Sequence, residues 1–301
     1  MKAINMSLRE QILIGNKISG RRLSKILRAQ IKEDVAKLKE QFGEDIKLVA
    51  ILVGDDPASQ LYVSMKHKAC EKAGIASETY HLPKETSEEE LLKLIDKLNK
   101  DPTVHGILVQ LPLPPQINEH HVLYAINPDK DVDGFHPTNT YKLYLGTGHL
   151  MPATPKGVVK ILDALGVELR GKNVAVINRS LIVGRPLALM LMHRDATVTI
   201  CHSKTRNLKD ITLRSDIVIS AIGRRKSKED PYYITADMVN PGTILIDVAT
   251  PNGDADFKAL TEKGVLTTPV PGGVGPMTIT MLLENLVIAY KIQKGLIKEE
   301  E

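Results

Sequence analysis

Short apolar runs alternate with longer amphipathic stretches along most of the chain. Continuous apolar runs of strand length occupy residues 46–54, 105–113, 216–223 and 242–249, and apolar residues recur at helical spacing over residues 19–42. Strands buried on both faces read as unbroken apolar runs, and the helices between them provide the crossover connections. The pattern therefore predicts an α/β fold with a doubly wound parallel sheet.

A helix is predicted over residues 58–73, where Gly74 ends it. The residues predicted to face the sheet are Leu61, Met65, Ala69 and Ala73. Tyr62 and Lys66 lie one turn apart beside this stripe, at the edge of the buried surface. Taken alone, a helical lysine is more often solvated and a tyrosine more often part of the packing, so a structural and a functional interpretation both stay open.

A polar residue, Gln110, interrupts the apolar run at 105–113. Gln110 stands near the carboxyl end of this predicted strand, where ligands of open α/β sheets bind, and it is either a structural residue with satisfied hydrogen bonds or a site residue. The loop at 129–139 holds three acids, including Asp133, and such acids are more often turn or capping residues. No metal site is predicted, because the spacing lacks the alternating oxygen ligands and the later glutamate of a calcium loop.

The sequence VAVINRSLIVGRP, at 174–186, has the pattern of a strand, a tight loop and a helix that opens near Pro186. Unpaired N–H groups and the dipole at a helix N-terminus can hold a diphosphate, and Arg179 and Ser180 stand beside it. A dinucleotide fingerprint has glycine at the first turn position, where this chain has Asn178, which also tolerates left-handed backbone angles. The motif alone fits a cofactor loop and an ordinary strand-to-helix turn equally well.

The next predicted strand ends near His202 and Ser203, with no acidic residue at its end. An NAD site places an Asp or Glu there to bind the ribose 2′-hydroxyl. This chain instead offers Ser203, Lys204 and Arg206, with Arg179 in the preceding loop, which suits a 2′-phosphate. The predicted cofactor is therefore NADP, and the competing interpretation is that these are ordinary solvated cations.

The length of 301 residues fits one large domain or two ordinary domains, and two α/β domains are predicted. The first comprises residues 1–150 together with 278–301, and the second is a Rossmann-type domain at 151–277. Thr154 is the predicted N-cap of a helix that runs to Gly166. Thr278 is the predicted cap of an apolar last helix that packs back on the first domain, and the tail after it is expected to fray.

Composition narrows the function further. The chain has 40 basic and 36 acidic residues and a net charge of +4, with no basic run carrying interleaved aromatics, so it is not predicted to bind nucleic acid. Cys70 and Cys201 stand far apart, which predicts reduced, buried thiols rather than a disulfide or zinc site. No apolar run has signal-peptide or membrane-span length, and a soluble cytoplasmic protein is expected.

Five segments together resemble one family over essentially the whole chain: LNKDPTVHGILVQLPLP, KDVDGFHPTN, VINRSLIVGRP, CHSKT and PVPGGVGPMT. They are similar to the bifunctional methylenetetrahydrofolate dehydrogenase/methenyltetrahydrofolate cyclohydrolase family. The resemblance implies a folate-binding catalytic domain and an NADP-binding domain with a cleft between them, and a homodimer formed through the cofactor domain. The implied reaction is oxidation of 5,10-methylenetetrahydrofolate by NADP, then hydrolysis of the methenyl product to 10-formyltetrahydrofolate.

The resemblance also implies roles for individual residues. Lys66 matches the catalytic lysine that stabilises charge as water attacks, and Gln110 matches the residue that hydrogen-bonds this lysine and adjusts its properties. Tyr62 matches a ring that stacks near the folate. Asp133 matches the carboxylate that accepts hydrogen bonds from the N–H donors of the pterin. The backbone from Gly272 and Gly273 to Pro276 is expected to meet the substrate. The full set of predicted cofactor-binding residues is Asn178, Arg179, Ser180, Gly184, Pro186, His202, Ser203, Gly223 and Gly275.

Two features depart from the family pattern. Asn178 replaces the usual glycine before Arg-Ser, and the segment at 247–257 is shorter than usual. Two alternatives therefore stay open: an enzyme that retains one activity, with the cyclohydrolase favoured, and a non-catalytic NADPH-sensing module on the same fold.

Overall fold

A computed structural model describes residues 6–297 of the chain, so the predicted frayed tail at 298–301 lies outside the described residues. The strands, β1 to β10 in chain order, are Leu13–Ile14, Lys17–Ile18, Lys47–Val53, Ala76–Leu82, Gly106–Val109, Asn173–Ile177, Thr197–Cys201, Ile217–Ser220, Ile244–Asp247 and Leu266–Thr267. The α-helices, α1 to α11, are Leu8–Ile12, Gly20–Phe42, Pro57–Ala73, Glu88–Lys100, Glu119–Ala125, Pro137–Leu145, Ala153–Ala164, Gly184–Met192, Leu208–Leu213, Phe257–Glu262 and Val274–Gln293.

Local sequence signals set several of these boundaries. Asp56 caps α3 by accepting from the Ser59 amide, and Gly74 ends the helix in the left-handed conformation that glycine adopts without steric cost. Ser87 and Glu90 form a reciprocal capping box at the start of α4.

The chain divides into two compact units. Unit 1 comprises the described residues up to Ile26 together with Thr154–Thr278, and unit 2 comprises Leu27–Ala153 and the described residues from Ile279 onward. The predicted division placed the whole N-terminal segment in the first domain. The short strand β2 instead pairs with β10 of unit 1 through Lys17 and Thr267, which explains the difference.

Unit 1 is built on a seven-stranded sheet in the order β1-β2-β10-β9-β8-β6-β7, in which every pairing except β1 with β2 is parallel. From β6 the chain moves to β7 on one side and then to β8 on the other, so the topological switch point lies between β6 and β8. The predicted doubly wound parallel sheet is confirmed.

Unit 2 contains a three-stranded parallel sheet in the order β4-β3-β5. The part of α11 that belongs to unit 2, from Ile279 onward, packs against this sheet. Its residues Leu286 and Tyr290 share one core cluster with Leu48 and Leu108. The prediction that the last helix packs on the first domain is therefore confirmed. Among residues 6–297, no helix combines the length and apolar character that crossing a membrane requires.

Two predicted helix caps are wrong. Helix α7 begins at Ala153, so Thr154 lies inside its first turn, and α11 begins at Val274, so Thr278 lies one turn inside that helix. The two hydroxyls bond each other at 3.0 Å instead of capping. The two threonines, both in unit 1, therefore link the first turn of α7 to the N-terminal part of α11.

Candidate functional site

Unit 2 brings Lys66 and Gln110 together. Lys66 Nζ on α3 donates to Gln110 Oε1 over 3.0 Å, and Gln110 follows directly after β5. The Gln110 backbone amide continues the sheet by donating to the Ile51 carbonyl, and its side-chain Nε2 donates to the Leu111 carbonyl at 2.7 Å. Because Nε2 is engaged in this way, the amide oxygen is fixed toward the lysine.

The buried face of α3 agrees with the predicted stripe at Ala69 and Ala73 and differs from it in the first half of the helix. Leu61 and Met65 are exposed, whereas Val63 and Cys70 are buried. Residues three and four positions apart share one side of a helix, so Lys66 lies on the same side as these two buried residues and is itself half-buried. This correction makes Lys66 part of the buried face of α3.

Burial governs the charge state of Lys66 and Asp133. Burial lowers the pKa of Lys66, and the negative charge of Asp133 partly opposes that shift. Burial raises the pKa of Asp133 to about 6, although Lys66 favours its ionised form. Each group therefore favours the charged form of the other in a weakly solvated environment, and each affects the titration of the other.

Asp131, rather than Asp133, shapes the acidic loop. Its carboxylate accepts from the Gly134 amide at 3.0 Å, the His136 amide at 2.8 Å and Asn139 Nδ2 at 2.9 Å. Asn285 on α11 supports the same loop by donating to the carbonyls of Val132 and Met151. These contacts leave Asp133 available to a ligand.

Asp131 is a turn-forming acid, as the loop pattern indicated for most of its acids, whereas Asn285 was not predicted as a supporting residue. The local signal for Asp131 was its position three residues before Gly134, a spacing typical of a carboxylate that closes its own turn. Asn285 comes from the distant last helix, and no local pattern could have placed it.

Tyr62 and Cys70 lie one turn either side of Lys66. Tyr62 is 41% exposed, with Leu61 and Met65 beside it on α3, so its ring is available to a flat ligand. Cys70 is fully buried and burial raises its pKa to about 12, so it stays a protonated thiol. Cys70 and Cys201 are free and buried, as predicted.

In unit 1, Asn178 organises the loop after β6 with its side chain. Its Oδ1 accepts from the amides of Ser180 and Gly184 at 2.7 and 3.1 Å, and its Nδ2 donates to the Ala221 carbonyl at 2.6 Å. A Cβ on Gly184 would lie 2.2 Å from the Asn178 carbonyl oxygen. The fold therefore requires glycine at position 184.

The prediction of unpaired amides at the start of α8 is wrong. The Gly184 amide bonds Asn178, the Arg185 amide bonds the Ser180 carbonyl, and Pro186 has no amide hydrogen. The loop amides that have no acceptor within residues 6–297 belong instead to Arg179, Leu181 and Ile182. An anion at this loop would meet those groups.

The ends of β6 and β7 carry exposed polar and basic side chains. These strands are neighbours in the sheet, and Arg179, Ser203, Lys204 and Arg206 are exposed after them. His202 Nδ1 accepts from the Lys204 amide at 3.1 Å, so the histidine shapes this turn. Free amides with nearby cations and no acid fit a dinucleotide that carries a 2′-phosphate.

Gly223 belongs to the loop after β8, which a buried carboxylate holds. Asp254 accepts from Ser220 Oγ, the Ile222 amide and the Gly223 amide at 2.8, 2.7 and 3.0 Å. Asp254 lies in the shortened 247–257 segment, which also contains the buried Asp247. The sequence indicated only that this segment is short, and not that it supports the loop after β8.

The glycine-rich segment at 272–275 has steric and hydrogen-bonding roles in the fold, in addition to its predicted contacts with ligands. A Cβ on Gly273 would lie 2.7 Å from the Pro269 carbonyl oxygen, and one on Gly20 would lie 1.9 Å from the Gly273 carbonyl oxygen. The Gly272 carbonyl accepts from the Arg21 amide. Gly275 and Pro276 lie in the first turn of α11 rather than in a loop.

Two family models match this chain in sequence order. The catalytic domain of the tetrahydrofolate dehydrogenase/cyclohydrolase family matches residues 18–133, and the NAD(P)-binding domain of the same family matches residues 152–294. The chain belongs to the tetrahydrofolate dehydrogenase/cyclohydrolase family.

Individual relatives agree with this membership. The bifunctional protein FolD of Moorella thermoacetica is 49% identical over 288 residues, covering 93% of this chain and 99% of the relative. The Campylobacter jejuni FolD crystal structure has a TM-score of 0.85 at 45% identity, covering 93% and 98% of the two chains. A Trypanosoma brucei FolD structure described as complexed with NADP and an inhibitor has a TM-score of 0.86 at 35% identity, covering 94% and 98%.

Membership in the tetrahydrofolate dehydrogenase/cyclohydrolase family confirms the predicted family, fold class and enzyme class. The NAD(P)-binding domain confirms a nicotinamide cofactor, in agreement with the NADP prediction. The comparisons support the bifunctional interpretation and not the single-activity or sensor alternatives. The roles of individual residues stay predictions.

Proposed function

We propose that this chain oxidises 5,10-methylenetetrahydrofolate with NADP and hydrolyses the 5,10-methenyl product to 10-formyltetrahydrofolate. The observation that carries the proposal is the Lys66–Gln110 hydrogen bond beside Asp133, in a chain of the tetrahydrofolate dehydrogenase/cyclohydrolase family. Small folate derivatives are the proposed partners, and nearly balanced charge makes nucleic acid an unsuitable one.

Asp133 and Tyr62 would hold the folate. An ionised Asp133 accepts N–H donors from the amino edge of the pterin, and charge-assisted hydrogen bonds of this kind are stronger than neutral ones. The exposed ring of Tyr62 offers a flat apolar surface for the folate ring. The Asp131 contacts fix the loop before a ligand arrives, which reduces the entropy lost on binding.

Hydrolysis requires water to add to the methenyl carbon and lose a proton. Lys66 in its neutral form accepts that proton, and the resulting ammonium returns a proton to N5 as the bond between N5 and the former methenyl carbon breaks. As this bond breaks, the hydroxyl of the adduct loses its proton to solvent and becomes the formyl carbonyl on N10, so one proton is released overall and Lys66 returns to its neutral form. The lowered pKa of Lys66 makes its neutral form more accessible than that of a solvated lysine, and Gln110 holds the amine in place.

Oxidation removes a hydride from the methylene bridge of the folate. NADP, when bound, supplies the acceptor for this hydride. The groups of this chain proposed to hold it are the free amides of the loop after β6 and the 2′-phosphate contacts of Arg179 and Ser203. The absence of an acidic residue after β7 favours NADP over NAD.

We also propose a cytoplasmic homodimer. Strand β7 is an edge of the seven-stranded sheet, and its Ile200 side chain is 40% exposed, so a second copy could cover this edge. Two free, buried thiols agree with a reducing compartment. Light scattering of the purified protein tests the dimer, and a monomer mass at micromolar concentration would contradict it.

The two activities are tested in one spectral time course. Purified protein is mixed with 5,10-methylenetetrahydrofolate and NADP, with NAD in a parallel sample, and NADPH and the methenyl compound are followed by absorbance. NADPH formation with little methenyl accumulation is the expected result. Loss of added methenyltetrahydrofolate without any cofactor reduction would instead show a cyclohydrolase alone.

A further inference from the structure

Asn178 joins the two loops that meet at the switch point of the unit 1 sheet. It follows β6 directly, and its Nδ2 donates to the carbonyl of Ala221, which follows β8, over 2.6 Å. The strands β6 and β8 are paired, with Ile177 opposite Ser220. Ligands of open α/β sheets bind in the crevice outside the carboxyl ends of the strands at this point.

The side-chain oxygen of Asn178 determines which backbone N–H groups of the loop are free. Asn178 Oδ1 occupies the N–H groups of Ser180 and Gly184, and the Arg185 amide bonds the Ser180 carbonyl. The start of α8 therefore has no free amide in its first three residues, because Pro186 has none to offer. The amides of Arg179, Leu181 and Ile182 remain without an acceptor in the described part of the chain.

We propose that Asn178 is a positioning residue for the cofactor diphosphate. Its amide holds the loop after β6 against the loop after β8, so that the amides at 179, 181 and 182, rather than the first turn of α8, receive the phosphate oxygens. Asp254 fixes the other side of the crevice through the amides of Ile222 and Gly223. The inference rests on the proposed NADP-binding function of unit 1.

Two substitutions separate the functions of the side chain. Asn178→Ala removes the acceptor of two amides and the donor to Ala221. Asn178→Asp keeps an acceptor for both amides, loses the donor and places a negative charge next to the diphosphate. Because the loop loses its side-chain hydrogen bonds, we expect the Kd of NADP to rise about tenfold for Ala and further for Asp.

Matched controls come from Asn240, an exposed residue of unit 1 whose Nδ2 also donates to one carbonyl, that of Leu213. Asn240 precedes β9, so it lies at the amino ends of the parallel strands, whereas Asn178 lies at their carboxyl ends. Asn240→Ala and Asn240→Asp repeat the same chemical changes, and we expect no more than a twofold change in cofactor Kd. Thermal unfolding is measured for all four variants.

Binding is measured by calorimetry with NADP, NAD and ADP-ribose, and kinetics are followed with NADP. A diphosphate role predicts that each Asn178 substitution raises the Kd of all three probes by a similar factor. It also predicts that KM for NADP rises more than kcat falls. Unchanged Kd values, or losses for NADP alone, would overturn the inference.

Thermal unfolding of the variants shows whether a loss of cofactor binding has a structural cause. If both Asn178 variants lost cofactor binding only together with folded structure, the residue would be structural and the inference would fail. If the wild-type chain itself bound none of the three probes, the proposed function would fail instead. The two failures are therefore distinguishable.

Discussion

Lys66 Nζ and Gln110 Oε1 lie 3.0 Å apart, although 44 residues separate them in the sequence. Gln110 is a neutral acceptor, so it orients the amine without adding the negative charge that would raise the pKa of Lys66. A lysine that is poised between its charged and neutral forms can exchange a proton during hydrolysis. The identity of residue 110 therefore sets the pH at which the lysine works.

Gln110→Glu tests this relationship. A carboxylate at this position raises the pKa of Lys66, so the rise of cyclohydrolase rate with pH should move to higher pH, with a loss of about tenfold in kcat at pH 7. The measurement is a pH–rate profile with methenyltetrahydrofolate. Gln116→Glu, an exposed glutamine elsewhere in unit 2, is the matched control. An unmoved profile in the Gln110 variant would contradict the tuning role.

Asp133→Asn tests folate recognition. The pKa of Asp133 is about 6, so in the wild-type protein KM for folate should rise as pH falls below about 6, because the neutral carboxyl accepts pterin N–H donors less well. The Asn variant should have a KM raised by about tenfold or more at pH 7.5 and little further change toward pH 5. Steady-state kinetics over this range check both statements, and a variant with wild-type KM would refute the assignment.

The same substitution affects the lysine. Removing the charge of Asp133 removes the interaction that opposes the lowering of the Lys66 pKa. The rise of cyclohydrolase rate with pH should therefore move to lower pH in Asp133→Asn, opposite in direction to the Gln110→Glu shift. Equal directions in the two variants would show that the pKa shifts have another cause.

Asp247 links the stability of unit 1 to pH. Burial raises its pKa to about 7, against an ordinary value of 3.8, so between these values the folded chain binds a proton that the unfolded chain has released. This contribution to the free energy of unfolding therefore falls as pH rises through the window and is smallest above pH 7.

Urea unfolding at pH 5 and pH 8 tests the Asp247 linkage. The unfolding free energy of the wild-type protein relative to Asp247→Asn should fall by roughly 2 kcal/mol between the two conditions. NMR titration of the carboxyl carbon gives the pKa directly. A relative stability that rose with pH would reverse the assignment.

Sequence pattern predicted the sheets well and the face of α3 poorly. Strands such as Lys47–Val53 are buried along nearly their whole length, so an unbroken apolar run identified them. On α3, hydrophobicity favoured Leu61 and Met65 as buried, but both are exposed and the small residue Ser59 is buried. Exposed apolar residues near a candidate ligand site break the rule that apolar faces are buried.

The residues of the candidate site were also predicted only in part. Lys66 and Gln110 were predicted from the motifs, and the structure brings them together. Asn178 was predicted to bind the cofactor and to depart from the usual glycine, but its hydrogen bonds to two loops were not predicted, because they depend on tertiary structure. Asp254 was missed because its partners lie more than 30 residues earlier in the chain.

Lys66 is the residue proposed to exchange the proton during hydrolysis. Lys66→Met keeps the length and packing of the side chain but removes the amine, and Lys68→Met on the exposed side of α3 is the matched control. Removal of a half-buried cation should leave the unfolding free energy within about 1 kcal/mol of the wild-type value.

The decisive measurement is the rate of hydrolysis of added methenyltetrahydrofolate by Lys66→Met. We predict a loss of at least about a hundredfold in kcat, the usual scale for removing a general acid–base group, while Lys68→Met keeps the wild-type rate. Hydride transfer should lose less, because an ammonium does not stabilise the positive charge that forms on the oxidised folate. A folded Lys66→Met protein with wild-type cyclohydrolase activity would contradict the account.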